Sequence, residues 1–459
     1  MGFRFRILLT NLAYFLCQNS IPTLMIFFIN KKQKNEEAVI AIGASNMIYN
    51  ITLSPFILGL ASVIEILGSQ SFSSKKYYLF GCYLNRARII GYFIFILLGI
   101  LMFTFSNNFY NLMGYSFNTR NIINQIMVMR FCNSFLELEY NIMLRYLQII
   151  GKGIIGFIFV LLGFSCYLFY CYFFIIYLDL NGYGIGLTFI GLTSSILLPI
   201  WTYVLFKKPN PESIFFFDKH SFQGLLQIKK IGMFLSFIVI LDFANTELMS
   251  FFANFYEKPI YVSFIIAMSI YYFFNSFYLS YNILTCVCVS YYVGKNDVES
   301  ARKIISYICI DATIIGIMLF ILTFPLRRIF VKQLTTNPLV IERASSLLIF
   351  FNLVNLIENY MGILFSALKG LKRIILVILL YIGLNVFNIL LLVFFKYYTQ
   401  VGIDSLPISN NITNIVSIIV YGIGLKVIDW KEEFIINKKE LEEDESMVVE
   451  NNVDEKKKE

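Results

Sequence analysis

Asp242 and Glu247 stand five residues apart in Leu241-Asp242-Phe243-Ala244-Asn245-Thr246-Glu247, midway along an apolar run from Ile231 to Phe255. About 20 such residues cross a bilayer, and an ionised side chain at the centre costs about 2.5 to 3.5 kcal/mol even on lenient insertion scales. Carboxylates kept at that cost need water, each other or a ligand, and the chemistry open to them is reversible binding of a proton or a cation. Glu358 is a third such acid, with Asn355 and Asn359 beside it in the run Ala344 to Leu368. Helix positions five apart point about 140° away from each other, so Asp242 and Glu247 diverge. Asp242, Asn245 and Thr246 share a face, which is assigned to a cavity. Ser269, Tyr272 and Ser276 form a polar stripe on the next run, able to complete that cavity with aromatic walls for cation–π contact. The competing reading of the three acids is a structural ion pair, but no Lys or Arg lies mid-way along the C-terminal runs to make one. For Glu137 and Glu139, with Arg130 and Arg145 on the same run, a structural network is favoured over an ion site. Glu65 reads as a gate or interface residue.

The elements that must hold these acids are set by composition. Of 459 residues 58% are hydrophobic and 14% charged, and the mean hydropathy of +0.71 makes lipid the solvent for most of the chain. The net charge of +8 comes from short basic loops rather than one continuous face, so it speaks for topology and not for nucleic acid. With 48 Phe and 30 Tyr, aromatic residues are too common for their number alone to argue for binding. The eight cysteines lack metal spacing and are expected as reduced core residues. The single His220 cannot build a metal site, and neither a metal nor a cofactor is expected. Met1 to Arg6 leads into a run too long for a cleavable signal, so the first run is expected to remain as a span.

Apolar runs separated by polar loops give twelve candidate spans: Ile7–Ile29, Ala38–Leu60, Ala87–Phe105, Ile122–Tyr146, Ile154–Leu178, Ile185–Phe206, Ile231–Phe255, Tyr261–Cys286, Ile304–Phe324, Ala344–Leu368, Ile374–Phe395 and Ile408–Val427. In lipid, separate spans of this length must be helices. Pro22 and Pro55 permit bends in the first two. Lys and Arg collect in alternate loops, which places both termini in the cytosol. An internal repeat shows faintly at an offset of about 221: Leu147-Gln148-Ile149-Ile150-Gly151-Lys152 recurs as Leu368-Lys369-Gly370-Leu371-Lys372-Arg373, and the loop at Ser73 recurs at Gly294. The expected fold is therefore an all-α membrane protein of two six-helix bundles, residues 1–206 and 229–428, the parallel-repeat arrangement that puts a substrate path between the halves. A hinge-like linker at 207–228 would join them, and the charged tail 429–459 is expected to be disordered.

Gly59-Leu60-Ala61-Ser62-Val63-Ile64-Glu65-Ile66-Leu67-Gly68-Ser69-Gln70-Ser71-Phe72, followed by Tyr83-Leu84-Asn85-Arg86-Ala87 and Leu144-Arg145-Tyr146-Leu147-Gln148, resembles three blocks of the multidrug and toxic compound extrusion (MATE) family in its eukaryotic form. The resemblance runs from about Leu8 to Lys426. It implies two pseudo-symmetric lobes and an antiporter that exports organic cations or other toxic compounds against an inward flow of protons. It aligns Asp242 and Glu247 with two acids of the seventh span and Glu358 with the acid of the tenth. Gln18 and Asn50 fall on polar positions of the first two spans. This sequence departs from the family pattern at Ser269, where a further glutamate is usual. It departs again at Tyr278 and Ser280, in place of a Pro-x-Gly turn, and at Cys288-Val289-Ser290-Tyr291, in place of Arg-Val-Gly-Asn.

The leading reading is thus a proton-coupled exporter of xenobiotics or toxic metabolites, with sodium as the alternative coupling ion. It would work as a monomer in a plasma, vacuolar or vesicular membrane. Export of lipid-linked or anionic solutes would want basic residues in the cavity, where the C-terminal runs offer acids. A degenerate, non-transporting paralogue is the reading that Ser269 keeps open. An intramembrane enzyme is disfavoured, since no His-Glu-x-x-His, Gly-x-Ser-x-Gly or Gly-x-Gly-Asp pattern occurs.

Overall fold

A computed structural model describes residues 2–32, 36–112, 116–178, 181–215, 218–253, 256–335 and 337–456; the last residues of the tail, 457–459, lie outside it. Over its described residues, each of the twelve apolar runs falls in a helix or a short series of helices. The first half contains α1 (Phe3–Lys32), α2 (Glu36–Thr52), α3 (Ser54–Val63), α4 (Ser69–Ser73), α5 (Tyr77–Leu112), α6 (Phe117–Ile149), α7 (Gly153–Tyr170) and α8 (Asn181–Lys207). The second contains α9 (Leu225–Ala253), α10 (Lys258–Gly294), α11 (Val298–Leu334), α12 (Pro338–Gly370), α13 (Ile374–Tyr398) and α14 (Ser405–Val427), after which α15 (Trp430–Lys456) forms the tail. Among the described residues, nine stretches are long and apolar enough to cross a membrane, and α1, α6 and α9 lie outside that set. The reason is plain for α6, which carries Arg120, Arg130, Glu137, Glu139 and Arg145.

Exposed apolar side chains mark the faces turned to lipid. On α5, Phe93, Ile96, Ile100 and Phe103 are exposed at helical spacing, and on α13 Ile375, Leu379, Val386 and Leu390 are exposed likewise. Pro55 lacks the N–H that would continue the ladder, and the chain breaks at Leu53 between α2 and α3; α1 runs on through position 22. A π-turn at Ile64–Gly68 then carries Glu65.

The repeat is written into the backbone at an offset of 221. After α4, Lys75 is left-handed, with Lys75 N–H donating to Phe72 O and Lys76 N–H to Ser71 O; after α10, Asn296 is left-handed, with the same bonds from Asn296 to Val293 and from Asp297 to Tyr292. The ends of α6 and α12 repeat the device, with Gly151 and Lys372 left-handed and with Gly151→Gln148 and Lys152→Leu147 matched by Lys372→Lys369 and Arg373→Leu368. Such caps satisfy the last carbonyls of a helix. At three of the four sites a non-glycine residue accepts a conformation that L-residues disfavour.

Two compact units result, one of residues 1–240 with 439–459 and one of 241–438. The division falls within α9, not at 207–228 as expected. The linker is docked on the first unit rather than free to hinge: Tyr78 Oη donates to Asp218 Oδ2 at 2.5 Å, Arg86 Nη2 to His220 O at 3.1 Å, and Asn85 Nδ2 to Phe215 O at 3.3 Å. The tail differs from expectation as well. Trp430, Phe434 and Leu441 are buried, so α15 has an apolar side that its low aromatic content concealed. Within the second unit Trp430 Nε1 donates to Leu425 O at 2.9 Å, Arg373 pairs with Glu433, and Asn437 Nδ2 donates to Leu371 O at 3.3 Å. Within the first, Tyr83 Oη donates to Asp444 Oδ2 at 2.6 Å and Lys76 pairs with Glu445 at 2.7 Å. None of the eight cysteines is in a disulfide; Cys132 and Cys166 are exposed rather than core.

Candidate functional site

In the second unit Glu358 projects from α12 and is buried, 7% exposed. Four neutral groups donate to it: Tyr271 Oη at 2.7 Å and Asn275 Nδ2 at 2.9 Å, both to Oε2, and Asn410 and Asn414 Nδ2 at 3.3 and 3.4 Å to Oε1. Tyr271 and Asn275 lie one turn apart on α10, and Asn410 and Asn414 one turn apart on α14, so two helices each present an i, i+4 pair to the acid. Tyr271 Oη in turn accepts from Asn275 Nδ2 at 3.2 Å. Among the described residues no ion pair reaches Asp242, Glu247 or Glu358.

Asp242 accepts a hydrogen bond from Tyr381 Oη on α13, and the acid lies within electrostatic reach of Glu358. One turn along, Asn245 Oδ1 accepts from Asn388 Nδ2 of the same helix at 2.6 Å; Asn388 Oδ1 accepts from Thr413 Oγ1 at 3.3 Å. Asp242 and Asn245 therefore both face α13. Thr246 spends its hydroxyl on Asp242 O at 3.3 Å, within its own helix. Glu247, on the other side of α9, interacts with Tyr261 and Tyr272 of α10.

The remaining residues singled out from sequence fall elsewhere. Ser269 Oγ donates to Ile265 O at 2.9 Å, within its own helix, and Ser276 is buried. Tyr272 packs on Tyr271, ring centroids 5.6 Å apart, but the groups that reach Glu358 are Tyr271 and Asn275, a stripe one residue round α10 from the expected one. Asn355 and Asn359 are not among Glu358's donors and line a small pocket with Gly316, Thr323 and Asn352. Gln18 and Asn50 belong to the first unit and form no part of this cluster. Tyr271, Asn275, Tyr381, Asn388, Asn410 and Asn414 are additions; only the i, i+4 spacing of Tyr271 with Asn275 on α10 and of Asn410 with Asn414 on α14 could have pointed to four of them.

The first unit separates two acids that sequence treats alike. Glu139 forms an ion pair with Arg88 at 2.9 Å and accepts from Tyr92. Glu137, 8% exposed, accepts from Tyr49 Oη at 2.6 Å, Gln18 Nε2 at 3.1 Å and Asn133 Nδ2 at 3.3 Å. Glu65 pairs with Arg145 at 3.0 Å, both side chains almost wholly buried. Arg145 also donates to Asn11 Oδ1 at 2.7 Å and to Gln148 Oε1 at 3.1 Å, a network that binds α1, the π-turn and α6 together.

The long apolar helices define an integral membrane protein, whose second unit buries an acid that no ion pair reaches among the described residues. The sequence profile of the MatE family matches residues 12–173 and 235–394, and the chain belongs to that family, whose members are transporters rather than enzymes. A relative in Arabidopsis thaliana, Protein DETOXIFICATION 26, is 25% identical over 221 residues, 46% of this chain and 44% of that protein, so the chain spans less than half the length of this relative in the match. The fold matches the crystal structure of the eukaryotic MATE transporter AtDTX14 with a TM-score of 0.88 at 14% identity, covering 96% of this chain and 98% of that one. It matches the D35N mutant of the Vibrio cholerae MATE transporter VcmN with a TM-score of 0.79, again at 14% identity, over 94% and 98% of the two chains.

Proposed function

We propose that this MATE-type efflux transporter is a secondary active antiporter that exports organic cations, xenobiotics or toxic metabolites, in exchange for protons. The observation that carries the reading is Glu358, a buried carboxyl with four neutral donors and, among the described residues, no ion-pair partner. Taking a charge out of water without compensation costs several kcal/mol, and a proton or a bound cation removes that cost. The two compete for the same oxygens. When the proton arrives the cation loses its partner and leaves, and when a cation arrives the proton is displaced. Asp242, held by Tyr381 and close to Glu358, supplies a second negative group to the same interior. Tyr271 and Tyr272 offer ring faces beside the acids, suited to an organic cation.

Export of a fluorescent cation from proteoliposomes under an imposed pH gradient tests the reading, and an imposed sodium gradient tests the alternative coupling ion. Gradient-driven export that Glu358→Gln abolishes is the expected result. Export unchanged by Glu358→Gln overturns the site. The observation that favours a non-transporting paralogue is Ser269, whose hydroxyl is turned back on its own helix; no export under either gradient would support that reading. A monomer in the plasma membrane or a vacuolar or vesicular membrane, with both termini cytosolic, completes the proposal.

A further inference from the structure

Glu137 and Glu358 are partners in the internal repeat, 221 residues apart, at the offset that relates the backbone caps of the two halves. Each takes a tyrosine hydroxyl from a preceding helix of its own unit, Tyr49 at 2.6 Å and Tyr271 at 2.7 Å. Around this shared core the repeat-related neighbours differ. Where the second unit has Phe351, its ring 5.2 Å from that of Tyr271, the first has Arg130. The Arg130 guanidinium lies between two rings, 4.0 Å from the centroid of Tyr49 and 3.9 Å from that of Phe189, and donates to Asn46. Phe189 occupies the repeat position of Asn410, one of the donors to Glu358. Thus the first unit exchanges a neutral donor and a phenyl ring for a cation in an aromatic slot, and the same tyrosine that carries the guanidinium on its face gives its hydroxyl to Glu137.

We propose that Arg130 is a resident counter-cation: it occupies, beside Glu137, the role that a visiting cation fills beside Glu358, so that the first unit holds a latent cation site closed by its own arginine. The statement about the first unit stands on its own geometry; the inference that exchange is confined to the second rests on the function proposed above. Arg130 is 6% exposed, so its charge is not screened by solvent. A buried charge of this kind needs a partner of opposite sign, and Tyr49 joins the two groups, its ring 4.0 Å from the guanidinium and its hydroxyl 2.6 Å from Glu137. Arg130 acts here as a positioning residue.

The test is replacement of the arginine by a diffusible ion of the same chemistry. In the full-length protein in detergent, Arg130→Ala should melt at a lower temperature than wild type. Millimolar guanidinium chloride should then produce a saturable upward shift that equal sodium chloride does not, with no shift in wild type and none in Arg130→Ala/Glu137→Gln. Absence of a guanidinium-specific shift in folded Arg130→Ala, or its persistence in the double variant, overturns the proposal. If Arg130→Ala does not fold, Arg130→Lys and Arg130→Met decide: a stable lysine variant beside an unstable methionine variant supports a required charge, and equal stability overturns it. None of these readouts involves Glu358 or transport, so failure here and failure of the antiport reading are told apart.

Discussion

Tyr271 donates its hydroxyl to Glu358 while its ring packs on Phe351, so one side chain both hydrogen-bonds the acid and shields it. Three amides complete the set, and the role of the tyrosine can be isolated. Tyr271→Phe keeps the ring and loses one of four donors, a change of about 1 kcal/mol for a hydrogen bond inside a protein. Affinity for a cation that competes with the proton should shift by about five- to tenfold, with export retained. Equilibrium binding of a labelled cation at two pH values measures it, and total loss of export would show that the hydroxyl does more than hold the acid.

Glu65 and Arg145 behave differently because each already has its partner. Glu65→Gln leaves a guanidinium buried without its carboxylate, for which about 3 to 5 kcal/mol is expected. The melting temperature in detergent should fall steeply, and Glu65→Met/Arg145→Met should recover much of the loss. A single variant as stable as wild type would mean that Asn11 and Gln148 suffice for Arg145.

Two glycines at helix crossings separate backbone from side-chain crowding. A Cβ at Gly59 would lie 2.6 Å from Ser236 N and 2.7 Å from its Cα, whereas at Gly362 it would meet Asn282 Oδ1 and the Tyr278 ring. Alanine gains up to about 1 kcal/mol in helix propensity, but overpacking costs about 1 to 3 kcal/mol where the backbone must move. Gly59→Ala should therefore be the more destabilising, because Asn282 can rotate and Ser236 N cannot; comparison of the two melting temperatures checks the order.

The docked linker gives a pH dependence with a definite sign. The hydrogen bond from Tyr78, and then that from His220, hold the Asp218 carboxyl below its usual value. The folded state thus favours the ionised form, and this contribution is present above about pH 4, the ordinary carboxylate range, and lost as pH falls through the lower folded value. Tyr78→Phe should return Asp218 toward the ordinary range, so that the linker loosens at a higher pH than in wild type. Hydrogen exchange across residues 218–224 during acid titration reads the shift; identical midpoints would remove Tyr78 as the cause.

The spans, the repeat and the isolated acids were legible in the sequence because each rests on a contrast of polarity or on register, and lipid enforces both. The site's lining was not. On α10 every position from Tyr271 to Ser276 is aromatic or polar, so periodicity alone could not choose between the stripe through Tyr272 and Ser276 and the one through Tyr271 and Asn275. Asn388, Asn410 and Asn414 are amides among others in α13 and α14, visible as partners only once those helices are packed. Glu137 and Glu139, two residues apart, point to opposite sides of α6, and only their neighbours separate an acid paired with Arg88 from one bonded to neutral groups. The tail hid its apolar side among charges.

The matching caps at Lys75 and Asn296, and at Gly151 and Lys372, mean that a duplicated scaffold can keep its shape while its two interiors diverge in chemistry. One half has become a braced strut, stitched by guanidinium groups that never leave. The other surrounds its acid with amides and a tyrosine instead. On the function proposed above, differences in diet between this chain and its kin should accordingly be sought among the amides and tyrosines of the later half, where a substitution leaves the capped helix ends untouched.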